Sequence, residues 1–248
     1  MACIMKILVI ADIHSNLTAF NAALEDLRQR VTVDEIWNLG DVIGYGPDPH
    51  ECIQLLKRIC KVSVAGNHDL ATVGNLETSR FNAGITEILK WTRQQLSFED
   101  KEFLKGLSHI IEKGEFTLVR GSPIDPIWEY VSSIEIAKES LSHLKTPRCM
   151  VGHLHVPIVF EFRQNQAGRG RLLVDNASFA LKGNRVIFNP GSIGQPRDQN
   201  ALASYGVFDT RRNRITVHRV SYDVASGQKR MRLQGFQSKF IDRLASGL

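Results

Sequence analysis

Four short apolar runs in the first 155 residues each end in side chains able to bind a cation, and this constrains the chain more than any other feature. The run Lys6–Asp12 leads into Asp12–Ile13–His14, and Glu35–Asp41 ends in Gly40–Asp41. Lys61–Asn67 leads into Gly66–Asn67–His68–Asp69, and Arg148–Gly152 into Gly152–His153–Leu154–His155. Their β-branched, apolar content marks the runs as buried strands. Between the first three lie segments of helix length, one beginning near Leu17 and one spanning about Pro47 to Cys60. Strand–helix–strand spacing implies parallel pairing in an α/β sheet. Ligands in such sheets sit outside the carboxyl ends of the strands, so the four polar loops are expected to meet in space.

Residues Phe81–Leu107 read as helix with one break near Ser97, and Phe116–Val119 as a further strand. After His155 the pattern changes to short strands joined by turns: Pro157–Arg163, Arg171–Asp175, Arg185–Asn189, Ser204–Asp209 and Arg214–Val220. Such spacing suggests antiparallel β-structure. From Tyr222 onward the chain reads as mostly helix, with Met231, Leu233, Phe236, Phe240 and Leu244 as its apolar members. That helix offers a surface for a homo-oligomer. No repeat, low-complexity tract or linker interrupts the 248 residues. Residues 1–248 are therefore expected to form one domain, long enough to bury roughly 70–75% of the unfolded surface.

Cys3, Cys52, Cys60 and Cys149 show no C-x-x-C pair, which fits free thiols in a reducing compartment, with the cytoplasm as the default. No apolar stretch approaches the ~20 residues of a membrane span, and Met1–Ile10 has no charged leader region. The net charge of +5 is uneven: from Arg163 onward fifteen Lys/Arg face five Asp/Glu, so that part carries +10 and the first 162 residues carry −5. An acidic first part suits cation binding and a basic second part an anionic ligand, although solvated surface charge produces the same asymmetry.

Aspartate, histidine and asparagine together form an oxygen and nitrogen donor set that suits manganese, iron or zinc better than calcium. Taken singly, the motifs have ordinary explanations: Asp12 or His14 can cap the helix near Leu17, and Gly40–Asp41 can be a turn. Gly66–Asn67–His68–Asp69 is harder to explain by packing. The two histidines of Gly152–His153–Leu154–His155, at i and i+2, can face two ions. Four such motifs in one order point to a metal centre.

At this point the chain resembles the calcineurin-like metallophosphoesterases, which carry D-x-H, G-D, G-N-H-D and G-H-x-H in this order. Leu39–Pro47, Asn189–Pro190–Gly191–Ser192 and Gln195–Pro196–Arg197–Asp198 look like the family's small bacterial branch, which includes phosphodiesterase-like and bis-nucleoside polyphosphatase-like proteins. The resemblance implies an α/β sandwich of two β-sheets flanked by helices, and hydrolysis of a phosphate mono- or diester, nucleotides included. It also implies one or two divalent ions: manganese, iron, zinc or nickel. Asp12, His14, Asp41 and His155 would hold the first ion. Asp41 would bridge to a second, which would also take Asn67 and His153. His68 would serve as the catalytic group beside the scissile ester, with Asp69 orienting it.

One position departs from the family. Where its members carry a further histidine ligand before Gly-Ser-Pro, this chain has Arg120–Gly121–Ser122–Pro123. Arginine has no lone pair for a metal and stays protonated, so the second site is expected to be weakened. Arg120 then either turns to grip substrate phosphate through its fork, leaves a vacant second site, or points to solvent. Arg197 is a second candidate for phosphate, with a salt bridge to Asp198 as the plainer use. Tyr45, Trp128 and Tyr130 can stack on a base or serve as packing. The Arg163–Arg171 turn reads as a solvated hairpin tip, and no motif supports nucleic-acid binding. A catalytically silent scaffold or ligand sensor on the same fold is the alternative to an enzyme.

Overall fold

The structure is a computed structural model describing residues 4–181 and 183–248; Cys3 lies outside the described residues. In chain order the first elements are β1 (Lys6–Ile10), α1 (Leu17–Arg30), β2 (Glu35–Asn38), α2 (Pro49–Ile59), β3 (Val62–Ser63) and α3 (Asn67–Val73). A single 3-10 turn at Thr78–Arg80 precedes α4 (Ala83–Gln95) and α5 (Phe98–Lys105). Next come β4 (Ile110–Lys113), β5 (Phe116–Val119), α6 (Ile134–Ser142) and β6 (Arg148–Val151). The remainder runs β7 (Pro157–Arg163), β8 (Arg169–Leu172), β9 (Ser178–Ala180), β10 (Asn184–Pro190), β11 (Ala203–Asp209), β12 (Arg214–Val220), α7 (Val224–Leu233) and α8 (Ser238–Ser246).

Local chemistry sets several of these boundaries. The Asn16 side chain accepts from the Ala19 N–H and starts α1, while Arg28 and Arg30 sit in its last turn, where the carbonyl ends favour positive charge. Pro49 opens α2, a position that needs no N–H partner. Ser97 and Asp100 form a capping box that starts α5 and makes the expected break after α4.

The strands form two mixed six-stranded sheets, ordered β3-β2-β1-β11-β12-β9 and β4-β5-β6-β10-β7-β8. With the flanking helices they make the expected two-sheet α/β sandwich. In the first sheet β1 runs parallel to β2 and antiparallel to β11; in the second β6 runs parallel to both β5 and β10. Side chains alternate along β1. Ile7 and Val9 join Phe116, Leu118, Met150, Val159 and Phe188 between the sheets. Leu8 and Ile10 face Phe20, Leu24, Ile53 and Leu56 of α1 and α2 on the outer side. On the far face of the second sheet, Val119, Val151 and Ile187 pack against Ala137 and Leu141 of α6.

Several elements differ from the sequence expectation. The third strand is only Val62–Ser63, and Asn67–His68–Asp69 form the first turn of α3 rather than an open loop. The edge strand β8 lies at Arg169–Leu172, not Arg171–Asp175, because an edge exposed at every position leaves no burial pattern to read. Strands β4 and β9 and helix α6 (started by its Ser133 cap, with Ala137 and Leu141 buried) were not expected. The C-terminal segment forms two helices, with Met231, Phe240 and Leu244 packed on Tyr45 and Ile88 of the same chain, while Leu233 is exposed.

Fully buried Tyr205, on β11, donates to Asp26 on α1 at 2.6 Å, and Asp26 also accepts from Arg30 at 2.7 Å. Burial pushes the Asp26 carboxyl up, but the Arg30 and Tyr205 hydrogen bonds outweigh it and hold the carboxyl below its ordinary range. Tyr205→Phe is expected to cost about 1 kcal/mol at pH 7, measured by urea unfolding. A depressed folded-state pKa adds stability above the unfolded value of about 3.9 and loses it as pH falls through the folded value. The penalty of the substitution should therefore shrink below about pH 4.

Candidate metal centre

The carboxyl ends of β1, β2 and β3 in one sheet and of β5 and β6 in the other open onto one edge of the sandwich. Backbone hydrogen bonds lock the first loops side by side: Asp12 N–H donates to Gly40 O at 3.1 Å, His14 N–H to Asp41 O at 3.0 Å, and Gly194 N–H to Asp12 O at 2.8 Å. Asn189 reaches across to Gly152 O at 2.6 Å, fixing the loop after β6. Gly66 cannot be replaced cheaply, since a Cβ there would lie 1.9 Å from Asp41 Oδ1.

Seven of the eleven described non-glycine residues with left-handed φ belong to this edge: Asp12, His14, Ser15, Asp41, Tyr45, His153 and His155. Each such residue costs on the order of 1–2 kcal/mol, and clustering of this kind is characteristic of functional sites. The conformation aims side chains from both sheets inward. Asp12, His14, Asp41, Asn67, His68, His153 and His155 are all buried.

The histidines have their tautomers set by carbonyl groups. His14 Nδ1 lies 3.1 Å from Ile43 O, and His155 Nδ1 lies 2.6 Å from Gln195 O. A carbonyl only accepts, so each Nδ1 carries the proton and each Nε2 presents a lone pair. Those two Nε2 atoms lie 3.2 Å apart, and His155 Nε2 lies 2.8 Å from Asp12 Oδ1. Burial pushes the His155 imidazole down to about 3, with the Arg197 charge adding to the effect, so it is neutral. The bare Nε2 atoms of His14 and His155 thus converge on the Asp12 carboxylate, whose Oδ2 is buried without a hydrogen-bond partner. This donor set fits a divalent cation held by Asp12, His14 and His155, with Asp41 Oδ2 3.6 Å from His14 Nε2.

The second half of the edge is filled from within. Arg120, following β5, is only 1% exposed. Its guanidinium pairs with Asp12 through Nη1, and with Asp41 Oδ2 at 2.5 Å and His153 Nδ1 at 3.0 Å through Nη2. His153 Nε2 lies 3.2 Å from Trp128 O, so this ring too has its bare nitrogen fixed inward. Arg120 thus turns neither to solvent nor wholly to a substrate: its fork lies across the carboxylates. Burial pushes the Asp12 carboxyl up, but the charge of Arg120 together with the His155 and His14 contacts outweighs it and holds the group well below the usual range. Burial raises Asp41 to about 6 against the same charge, leaving it ionised at neutral pH. Asn67 Oδ1 is buried and unpartnered beside this locus.

The His68 ring packs among Tyr45, His14 and Phe81, edge-on to the last two, with ring centroids 4.6, 4.9 and 5.2 Å away. Its Nδ1 has no hydrogen-bond partner, and burial drives its pKa well down. The Asp69 carboxylate accepts from Gly66 N–H at 3.0 Å and Ile43 N–H at 3.2 Å. Any hold of Asp69 on His68 therefore passes through the backbone of α3 rather than through the ring. Arg197 is not paired with Asp198, which binds Arg219 instead. It donates to Gln195 Oε1 at 2.7 Å and Tyr45 OH at 3.3 Å.

Tyr45, Asn67, His68, Arg120, His153, His155 and Arg197 line a cleft of about 150 Å³, together with Arg80, Phe81, Trp128 and Tyr130. Tyr130 stacks on His153 at 3.9 Å and Arg80 lies over Trp128 at 4.5 Å. Arg80 and Phe81 were not foreseen, because they follow α3 on an irregular segment with no strand-end signal.

The chain matches the profile described as the calcineurin-like phosphoesterase superfamily domain over residues 5–213, and it belongs to that family. It is similar over 99% of its length to the whole of a metallophosphoesterase from Sphaerobacter thermophilus, with a TM-score of 0.90 and 39% identity. An uncharacterized protein of Methanocaldococcus jannaschii is 35% identical over 231 residues, covering 91% of each chain. A symmetrical bis(5'-nucleosyl)-tetraphosphatase of Pseudomonas fluorescens is 27% identical over 149 residues, which is 54% of this chain and 47% of that protein. The chain thus spans about half the length of that tetraphosphatase. No helix among the described residues is long and apolar enough to cross a membrane.

His155→Ala removes one of the three converging lone pairs. It should weaken Mn²⁺ binding in calorimetric titration by more than the ~10–100-fold cost of losing a mere supporting group. Unchanged affinity would put the ion elsewhere.

Proposed function

We propose that this protein is a metal-dependent hydrolase of phosphate mono- or diesters, with nucleotides as the substrate class favoured by its tetraphosphatase relatives. The observation that carries this reading is the convergence of Asp12, His14 and His155 lone pairs, without protons, beside the buried His68 ring. Asp12, His14, Asp41 and His155 would hold one divalent ion; manganese, iron, zinc and nickel all suit the donors. Asn67 and His153 border a second locus weakened by Arg120. A bound ion would supply Lewis-acid polarisation of a phosphoryl oxygen and acidify a water molecule.

The chain's own residues do the rest. Asp12, Asp41 and Asp69 against Arg80, Arg120 and Arg197 leave the edge without net charge, so one divalent ion turns it to +2 and makes it attractive to a phosphate. Neutral His68 carries one N–H that can hydrogen-bond the leaving oxygen and stabilise its developing charge, and its backbone N–H donates to Asp41 Oδ1 at 2.9 Å. Arg197, held against the Tyr45 ring, offers a planar fork for phosphoryl oxygens. Tyr45, Trp128 and Tyr130 on the cleft wall give a base or aryl group flat surfaces to stack on. Cys52, Cys60 and Cys149 are buried and unpaired, which suits a reducing compartment such as the cytoplasm.

A second reading, a silent scaffold or sensor, is favoured by one observation: a guanidinium lies among the very carboxylates that would bind metal. A p-nitrophenyl phosphate mono- and diester panel with each of the four metals separates the two. We expect turnover with at least one metal and a ~10²–10⁴-fold fall in His68→Ala. No turnover with any metal, and no change in His68→Ala, would favour the scaffold.

A further inference from the structure

We infer that Arg120 is itself the second cation of this centre, so that the protein holds a single divalent ion beside a built-in guanidinium. This inference rests on the metal-dependent reading above. The donors of the edge divide into two groups. His14 Nε2 and His155 Nε2 face Asp12 with bare lone pairs and hold no charged donor, while Asp12 is shared, its Oδ1 accepting from Arg120 Nη1 and its Oδ2 buried without a hydrogen-bond partner. Asp41 Oδ2 and His153 Nδ1, by contrast, already share a positively charged donor, Nη2 of Arg120. An ion cannot occupy the space that this nitrogen fills.

The surroundings are shaped to keep the guanidinium there. A Cβ on Gly152 would come within 2.9 Å of Arg120 Nη1, so the missing side chain is part of the cradle. Gly152 N–H also donates to Arg120 O at 3.0 Å, fixing the backbone from which the side chain extends. Arginine cannot escape by losing its proton, as a lysine can. Withdrawing it would leave two buried carboxylates without their partner. Only three of its five N–H groups are engaged by Asp12, Asp41 and His153. Because Arg120 also lines the cleft, a phosphoryl oxygen there can draw on the same charge without displacing the fork.

Counting metal ions tests this without reference to activity. The full chain is loaded with Mn²⁺ and desalted, and its manganese is counted by inductively coupled plasma mass spectrometry. One ion per native chain is expected, and two per chain in Arg120→His, which restores a neutral nitrogen ligand. Electron paramagnetic resonance of the native Mn²⁺ protein should show the six-line spectrum of an isolated ion. That measurement needs no variant, so misfolding of Arg120→His cannot mask the answer. Two ions per native chain, a spectrum of two interacting ions, or no bound ion at all would each overturn the inference. Two ions with ester hydrolysis intact would sink only the assignment of Arg120. One ion with no hydrolysis of any ester would sink the hydrolase reading and leave that assignment standing.

Discussion

Two carboxylates, Asp12 and Asp41, are fully buried at the ends of adjacent parallel strands, and much of the surrounding structure follows from keeping them there. Taking a charge out of water costs several kcal/mol even after relaxation, so neither could sit at this edge unpaired. The first sheet supplies the negative charge and the second supplies what answers it: Arg120 after β5, with His153 and His155 after β6. This explains why the centre needs a sandwich. A single sheet would bring the carboxylates together but would have nothing to place against them.

The same requirement accounts for the backbone. Left-handed conformations at Asp12, His14, Asp41, His153 and His155 run against the preference of L-residues, yet each lies in a loop tied to its neighbours. Asp12 is held from both sides, by its own N–H to Gly40 and by Ser192 Oγ donating to its carbonyl at 2.9 Å. The far end of the chain takes part as well. Arg230 of α7 bridges Asp48 at 2.8 Å and Phe240 of α8 packs 6.0 Å from the Tyr45 ring. The cleft wall at Tyr45 is thus braced by residues nearly 200 positions away.

What was readable in the sequence follows the same physics. Buried strands that run into polar residues are strong signals, because burial dictates one pattern and the site dictates its interruption; Asp12, Asp41, Asn67 and His153 were found that way. Edge elements such as β8 carry no burial pattern, so its position was read two residues too late. The first turn of α3 leaves a weaker signal, because its N-cap is Gly66 and its start is marked only by Asp69, which accepts from the Gly66 N–H. Arg197 was read toward Asp198 because the two are adjacent in sequence, whereas Arg219 comes from β12 and its approach is invisible without the fold. The tautomer-setting carbonyls of Ile43, Gln195 and Trp128 leave no trace in residue identity at all, since any residue supplies a carbonyl.

Arg120 shows how one residue changes the character of a centre while the rest stays in place. A histidine there would add a neutral ligand and leave charge balance to soluble ions, so that without metal Asp12 and Asp41 would repel each other. A guanidinium reverses that order of dependence. One of the two carboxylate charges is balanced as the chain folds, and the lone pairs of His14 and His155 are already aimed inward. On the reading proposed above, Asp12 would share its charge between Arg120 and the ion and so hold the ion less strongly. A fixed positive charge of one in place of a removable charge of two thus exchanges electrostatic strength for a site that is shaped before its metal is bound.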